Sequence, residues 1–502
     1  MLTQTELITA KLTAEGILNE SDIIKYIVEN DINSERKRKI LEGERYYEGK
    51  HDVLQRDFTS SKLLETDEET GEEKSMLFRN VNRSNHKNIN AFLKILVDQK
   101  TAYLVSKEPT IRVIGAEQNS SQKAYEKMLS DFANDTFNEV LQDLVIGASC
   151  KGFEALHVYY DENGDLQYCI VPANEIIPIY DTNHQKELIE VIRYYNITVV
   201  KNGKNYTHKK VEYWTKDNVT YYMQKQGDLY VKDSSIEENP APHWWGITNL
   251  NGFNSKKQGH SWGRVPFLIL KNNRNSTTDL EHIKGLIDAY DLISSEGTNN
   301  FLDLVDLYWT IEGAGGENAS SILKRLQINK AVSVQSTGDS KITAKQIELP
   351  VAGRLEFLKM LRKDIFQFGM GIDTDSDKFG NAPSGVSLKF QYTLLDQKAG
   401  NMIAKLKKVI KGLLWYVTND YNSKHGTNYN ADDIQVDINK NMITNDVETV
   451  SMIQSSKGIV SDKTLLAAHP FVTDINAELQ ELETQEQKEL SKFESEMLKY
   501  GN

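Results

Sequence analysis

The sequence predicts an α+β chain, and two observations carry that prediction. Apolar residues recur at helical spacing in the first 150 residues and again through the second half. Between them, residues 153–231 switch to short β-rich runs separated by turn residues. Those runs follow one another without intervening helices. They therefore predict an antiparallel meander, not the alternating strands and helices of a nucleotide-binding fold.

The elements follow in chain order. Residues 4–60 read as helical and charged, with Glu35-Arg36-Lys37-Arg38-Lys39 leading into Ile40–Tyr47 and Gly49 ending the helix. The polar, acidic stretch 60–75 reads as a loop. Helical spacing of Ile89, Phe92, Leu93, Leu96, Val97 and Leu104 predicts a helix over 85–104 with one buried face. A further helix is predicted over 131–146, with Phe132, Phe137, Val140, Leu141, Leu144 and Val145 inward. Strands are predicted at 153–160 and 166–171, joined by the hairpin signal Asp161-Glu162-Asn163-Gly164-Asp165. More strands are expected at 189–195, 210–214, 219–223 and 229–231. The Tyr pairs at 159–160, 194–195 and 221–222 could stack on bases, but strand propensity explains them more simply.

The second half alternates helices and loops. Thr278 and Glu281 form a capping box that opens a helix over 278–296. Leu280, Ile283, Ile287, Tyr290 and Ile293 form its apolar stripe, and Glu281, Lys284, Asp288 and Asp291 its other face. A mixed insert spans 301–348, with strands at 309–311 and 331–334, a glycine turn at 313–316 and a short helix at 319–326. Pro350 opens the next helix, with Leu355, Leu358, Leu361, Ile365 and Phe368 inward and Gly369 near its end. The loop 371–385 carries Asp373, Asp375, Asp377, Lys378, Phe379 and Asn381 among glycine, serine and proline. A long helix over 386–422 follows, with Leu388, Tyr392, Leu395, Ala399, Met402, Leu406, Ile410, Leu413 and Val417 in one stripe; it would be roughly 55 Å long. A short strand at 434–438, a helical C-terminus and a charged tail after Glu478 complete the chain.

The chain has 502 residues, 39% hydrophobic and 26% charged, which suits roughly two to four globular domains. Its net charge of −13 argues against a surface that clamps nucleic acid throughout, though not against a partner that slides past without being held. Cys150 and Cys169 are too few for a disulfide framework or a metal cluster and read as buried thiols. The start, Met1-Leu2-Thr3-Gln4, has no signal-peptide pattern. No apolar run approaches the roughly 20 residues that cross a bilayer. The expectation is a soluble intracellular protein or part of a soluble assembly.

Catalytic motifs fail on spacing. Residues 43–51 imitate a phosphate loop, but the glycines are one residue too far apart and His51 stands where Ser or Thr must reach Mg²⁺. Asp373, Asp375 and Asp377 copy the start of a calcium loop, yet Lys378 occupies its glycine position and Ser384 its bidentate glutamate position. The histidines lack zinc spacing, and no Gly-x-Ser-x-Gly elbow occurs. The reading is architectural: no enzyme, no cofactor and no metal.

Eight stretches in a fixed order carry a resemblance. They are Gly43-Glu44-Arg45-Tyr46-Tyr47, Val97–Val105, Lys151-Gly152-Phe153-Glu154, Val171-Pro172-Ala173-Asn174-Glu175, Arg193-Tyr194-Tyr195, Trp262-Gly263-Arg264-Val265-Pro266, Leu286–Asp291, and Gly458-Ile459-Val460-Ser461 leading to His469-Pro470-Phe471-Val472. Together they resemble the phage portal proteins of long-non-contractile-tailed phages of Gram-positive bacteria, over residues 41–478. The tail, the insert and the 371–385 loop depart from the family's pattern.

The resemblance implies a portal fold assembled as a ring, of twelve subunits in the usual case, around a channel for double-stranded DNA. It would place the wing at 1–275, stem helices at 276–300 and 349–370, and the clip at 301–348. A tunnel loop would occupy 371–385, a long wing helix and strand 386–445, and a crown and tail 446–502. Candidate channel residues are Asp373, Asp375, Asp377, Lys378, Phe379 and Asn381. Candidate stem residues are Glu281, Lys284, Asp288, Tyr290, Arg362 and Lys363, and candidate clip residues Lys324, Arg325 and Lys330. Implied partners are further copies of the chain, DNA, the terminase large subunit, a head-completion or adaptor protein, and the major capsid and scaffolding proteins, with no membrane. Implied locations are the capsid portal vertex and, during assembly, the host cytoplasm. Another head–tail structural protein and a DNA-processing enzyme are the alternative readings.

Overall fold

The computed structural model describes residues 20–66, 73–79, 83–181, 187–201, 203–224, 230–250, 254–303, 308–312, 341–345, 351–374, 385–441, 446–472, 478–485 and 487–488. It opens with α1 (Glu20–Ile32) and α2 (Glu35–Tyr47), the latter capped by the Ser34 hydroxyl, which accepts from the Lys37 N–H at 3.1 Å. Gly49 follows α2 at φ +76°, as its position after the helix predicts. The region read as a loop instead contains a hairpin, β1 (Ser60–Thr66) with β2 (Glu73–Arg79). Leu63-Leu64 and Met76-Leu77-Phe78 lie on either side of the acidic run, which dominates any average taken across it.

The helix expected over 85–104 begins later, as α3 (Phe92–Val105), and Ile89 is exposed instead of buried. The short β3 (Thr110–Val113) follows. The helix predicted over 131–146 starts later and is preceded by a helix the sequence analysis did not expect: α4 (Ser120–Phe132), then α5 (Asp135–Lys151). Asn134 makes the break, because its side-chain oxygen accepts from the Phe137 N–H at 3.1 Å and starts α5. That helix stops at Gly152, whose φ of +86° suits glycine and where a side chain would overlap the Ser276 carbonyl.

The period change is real. β4 (Phe153–Tyr160) and β5 (Leu166–Val171) form the expected hairpin, with Gly164 at φ +81° in its turn. Next come β6 (Ile176–Tyr180), β7 (Leu188–Lys201), β8 (Lys204–Trp214), β9 (Asn218–Gln224), β10 (Tyr230–Lys232) and β11 (Ala241–Pro242). They make an antiparallel sheet in the order β10-β9-β8-β7-β6, with β11 beside β9. A hairpin not expected above follows, β12 (Trp244–Leu250) with β13 (Asn254–His260), its strands flanking an Asn251-Gly252 pair that is itself a hairpin signal. β14 (Phe267–Lys271) then pairs with β4.

The second half contains α6 (Lys284–Asp303), β15 (Tyr308–Glu312), β16 (Lys341–Lys345), α7 (Val351–Phe368), α8 (Gly385–His425), β17 (Ile434–Asp437), α9 (Asp446–Ser455) and α10 (Asp462–Ala467). β15 pairs with β16, so the described partner of the first insert strand is 341–345. The strand, turn and helix expected within 313–334 lie outside the described residues. β17 returns to pair with β3, more than 320 residues earlier in the chain, closing α8 against the N-terminal half.

The 41 residues of α8 span roughly 60 Å. Its buried stripe includes Leu395, Ala399, Met402, Leu406, Ile410 and Leu413, packed on Tyr125 and Leu129 of α4, Phe137 and Leu141 of α5, and Leu156 of β4. A second core joins Tyr46 of α2, Leu93, Leu96 and Val97 of α3, Ile283 and Ile287, and Ile365 and Phe366 of α7. α3 belongs to both, because Tyr103, Leu104 and Val105 at its far end pack in the first. Gly43 lets α2 approach α5: a side chain there would overlap the Cys150 carbonyl oxygen. Replacing Gly43 with Ala is expected to cost about 1–3 kcal/mol through that overlap, read as a lowered thermal midpoint.

Candidate functional site: the junction of α3, α6, α7 and α8

The glycine pattern at 43–51 is helical backbone and packing, not a phosphate cradle. Gly43 sits within α2, and His51 is buried against α6. On α6 the expected stripe holds: Leu280, Ile283 and Ile287 are buried. Regular α-helix starts at Lys284, with turns over 279–283; the capping-box contact is present, since Glu281 Oε1 accepts from the Thr278 N–H at 3.1 Å. α7 packs beside α6 through Leu361, Ile365 and Phe366, while Leu355 and Phe368 are 52% and 58% exposed and so point away from the core, contrary to expectation. Phe92 of α3 meets Tyr290 edge-on at 4.9 Å and Phe366 at 5.9 Å.

The chain leaves α7 through a pinned root. Gly369 and Gly371 face Leu96 so closely that a side chain at either would overlap it, and Met370 between them adopts φ +55°. Gln99 then brackets Ile372: its amide donates to the Ile372 carbonyl at 2.8 Å, and its oxygen accepts from the Ile372 N–H at 3.0 Å. Arg362 forks onto Asp373, with Nη2 at 2.7 Å from Oδ1 and Nε at 3.1 Å from each carboxylate oxygen. Asp373 is thus tied back to α7. Asp375, Asp377, Lys378, Phe379 and Asn381 lie outside the described residues, as do Lys324, Arg325 and Lys330.

Beneath this root sits a buried charge cluster. The Lys100 ammonium donates to Asn272 Oδ1 at 2.5 Å and to Asp279 Oδ2 at 3.1 Å, with both lysine and aspartate almost wholly buried. Lys398 of α8 reaches the same Asp279 oxygen at 3.0 Å and the Gly369 carbonyl at 2.8 Å. One carboxylate thus serves two ammoniums and ties α3, the segment after β14, α8 and the end of α7 together. Burial opposes charge on Asp279, but the two lysines outweigh it and hold its carboxyl well below the usual range. Lys100 is pushed down to about 8, mainly by burial, with repulsion from Lys398 adding to it against the pull of Asp279.

The residues expected on the first stem helix are tied to α2. Lys284 contacts Asp52 at 2.6 Å, Asp288 at 2.7 Å and Glu42 at 3.6 Å. Tyr46 donates its hydroxyl to Asp288, and Lys39 pairs with Glu281 at 2.9 Å. Of the six candidate stem residues, Lys363 on α7 alone is exposed. Asp291 is not on an outer face as predicted; it is fully buried. Its carboxylate contacts His51 Nδ1 at 2.5 Å and accepts the Asn90 backbone N–H at 2.9 Å.

Three further α6 side chains repeat that contact. Ser295 Oγ accepts the Asn88 N–H at 2.9 Å, Asn299 Oδ1 the His86 N–H at 2.7 Å, and Asp303 Oδ1 the Ser84 N–H at 2.9 Å. These ties, the Gln99 bracket and the Lys100 cluster escaped the sequence reading. The available signals were polar residues every fourth position on α6 and a lysine inside the apolar run of α3.

Elsewhere the tyrosine pairs are structural. Tyr194 and Tyr222 are core residues, Tyr194 donates to Asp31 at 2.7 Å, and Tyr160 stacks on Trp262 at 5.2 Å. Cys150 is buried and Cys169 half-buried, and burial pushes both thiols up. Among the described residues no group of three or more His, Cys, Asp or Glu is placed to hold a metal, and no helix is long and apolar enough to cross a membrane.

Replacing Asp279 with Asn strands two buried ammoniums and is expected to cost about 3–5 kcal/mol, whereas Lys100 to Met leaves one ion pair and costs far less. The pH dependence has a definite sign. The unfolded chain holds the Lys100 proton up to about 10.5 and the folded chain only to about 8, so this group adds stability as pH rises between those values. Denaturant unfolding at pH 7 and pH 10 should show that rising limb in the parent protein and its loss in the Lys100→Met variant.

Comparison with known proteins fixes the family. The model "Phage portal protein, SPP1 Gp6-like" matches residues 28–492. The portal protein of Bacillus phage SPP1 is 28% identical over 465 residues, covering 91% of this chain and 85% of that protein. The portal protein of Clostridium phage phiCD119 is 31% identical over 488 residues, covering 93% and 96%. With a family match across nearly the whole chain, and with three of its family-like stretches, Gly43–Tyr47, Val97–Val105 and Leu286–Asp291, meeting at the α2–α3–α6 junction, the chain belongs to the SPP1 Gp6-like family of phage portal proteins.

Proposed function

We propose that the chain forms a ring at one capsid vertex, with α6 and α7 as stem helices beside a channel for double-stranded DNA. As a portal protein it is a structural component of the virion with a role in DNA packaging, not an enzyme, and its family implies an oligomer that works with head and packaging partners. The finer assignments are our reading. The observation that carries them is the pinned root of residues 369–373, where Arg362, Gln99 and Lys398 fix the exit from α7 to α3 and α8. A rigidly anchored loop root beside a paired helix suits a loop that faces moving DNA and must return to one position.

In this reading residues 301–348 are the clip, where the terminase large subunit docks during packaging and a head-completion or adaptor protein docks later. Residues 371–385 are the tunnel loop, α8 supports it from the wing, and the C-terminal helices form the crown. Capsid and scaffolding proteins surround the ring, which assembles in the host cytoplasm. A closed ring needs two different faces per subunit, and the long helices supply them. The net charge of −13 supports a wall that repels phosphates and lets the duplex slide, with a few basic side chains giving exchangeable contacts.

Negative-stain microscopy with light-scattering mass is expected to give rings of about twelve subunits with a hole wide enough for duplex DNA; a small closed dimer without a hole would overturn the proposal. The Arg362→Ala variant removes a charge-assisted tether worth about 1.5–3 kcal/mol. It is expected to leave ring formation intact while lowering the yield or changing the length of packaged DNA, measured from purified particles.

A further inference from the structure

Residues 83–90 lie along α6 in a register set by two different repeats. The α6 acceptors Asp291, Ser295, Asn299 and Asp303 recur every four residues, which is about 6 Å of helix. The donors Asn90, Asn88, His86 and Ser84 recur every two residues, which is about 6.6 Å of extended chain. The two repeats match closely enough for every rung to be made. Asn299 returns a bond from its amide to the His86 carbonyl at 3.0 Å. Ser295 donates its hydroxyl to the Asp291 carbonyl at 2.6 Å while accepting from the segment. Between rungs, the Asn88 amide donates to Ser294 Oγ at 3.1 Å and Thr298 Oγ1 at 2.6 Å.

What holds this segment is unusual in kind. Its one aliphatic side chain, Ile89, is exposed, and Asn85 and His86 are exposed as well. On its other side Asn85 accepts from the Phe58 N–H and Lys87 donates to the Leu54 carbonyl. Directional bonds therefore fix its position, and apolar burial contributes little. Such a contact is specific in register yet modest in net energy, because water replaces every bond when it opens. The α6 side chains it covers, Asp291, Ser295 and Asn299, are fully buried yet polar. Segments with few buried apolar contacts are those that open locally while the rest of a fold persists.

We propose that residues 83–90 are a releasable strap on α6: the rungs open together, freeing one side of that helix, while α3 and α6 stay folded. Resting on the stem assignment of α6, the strap further sets whether the stem helix is clamped to the wing or free to shift during DNA passage.

Hydrogen exchange on assembled rings, resolved to single amides by fragmentation mass spectrometry, tests the strap itself. The Ser84, His86, Asn88 and Asn90 amides are expected to exchange with one common rate, faster than the core amides of α3 and α6. The Ser295→Ala, Asn299→Ala double variant should raise that rate about tenfold or more with α6 still protected. Exchange of these amides only at the rate of α6 itself, or at four unrelated rates, would overturn the proposal. A reversible lock tests its use. Cysteines at Asn88 and Ser294, oxidised to a disulfide confirmed by mass, should suppress strap exchange and stop DNA packaging, with both restored by reduction. Locked rings that package DNA at the parent yield would overturn the role in DNA passage and leave the exchange result standing. Failure to form rings at all would instead count against the stem assignment.

Discussion

The buried carboxylate of Asp279 is the constraint on which the rest of the arrangement depends. It accepts from Lys100 on α3 and from Lys398 on α8, while Lys398 also donates to the carbonyl of Gly369, just beyond α7. Elements up to about 300 residues apart in sequence thus meet at one oxygen pair. Ion pairs of this kind contribute little net stability compared with an apolar plug, because both partners lose their water. They do impose position: an apolar contact tolerates sliding, whereas a bond to one carboxylate does not. A fold that must present a loop at a fixed place gains more from that geometry than from additional energy.

Around this point α3 acts as the shared wall of two cores. Leu93, Leu96 and Val97 face α6 and α7, and Tyr103, Leu104 and Val105 face α8. Glycine marks the places where backbones come too close for any side chain: Gly43 against α5, Gly369 and Gly371 against Leu96. Three of the stretches that resemble the portal family, Gly43–Tyr47, Val97–Val105 and Leu286–Asp291, sit here as well. Tyr46, Asp98, Gln99, Lys100 and Asp288 all engage partners across this junction and none stands free as a chemical group. The family signature in this chain is therefore the construction of a joint.

Much of this was legible in the sequence where a single period dominates. The α8 stripe, the aromatic meander and the pinning of Gly49 and Gly164 follow from spacing and turn chemistry alone. The failures share a cause. Averaging across the acidic run hid the 60–79 hairpin, and the start of α5, set by the single capping side chain of Asn134, was placed too early while α4 before it went unseen. Asp291 was assigned to solvent because a carboxylate on an amphipathic helix belongs there by default; its burial depends on His51 and Asn90, both distant in sequence. Lys100 was missed for the same reason. Long-range polar partners leave no periodic trace beyond the fourfold recurrence on α6.

The two helices of the pair are consequently held in different ways. α7 is fixed by apolar burial of Leu361, Ile365 and Phe366 and by the Arg362–Asp373 fork. α6 shares the apolar core through Ile283 and Ile287, but along its C-terminal half it is held by the polar rungs to residues 84–90. Apolar burial weakens only when surface is exposed to water, so a joint built from it resists partial opening. A polar register exchanges its bonds with water one for one and can part without that cost. α6 is thus anchored at its base by apolar burial and along its length by exchangeable polar bonds, while the root at residues 369–373 is held in place through Gln99 and, by way of Lys398, Asp279.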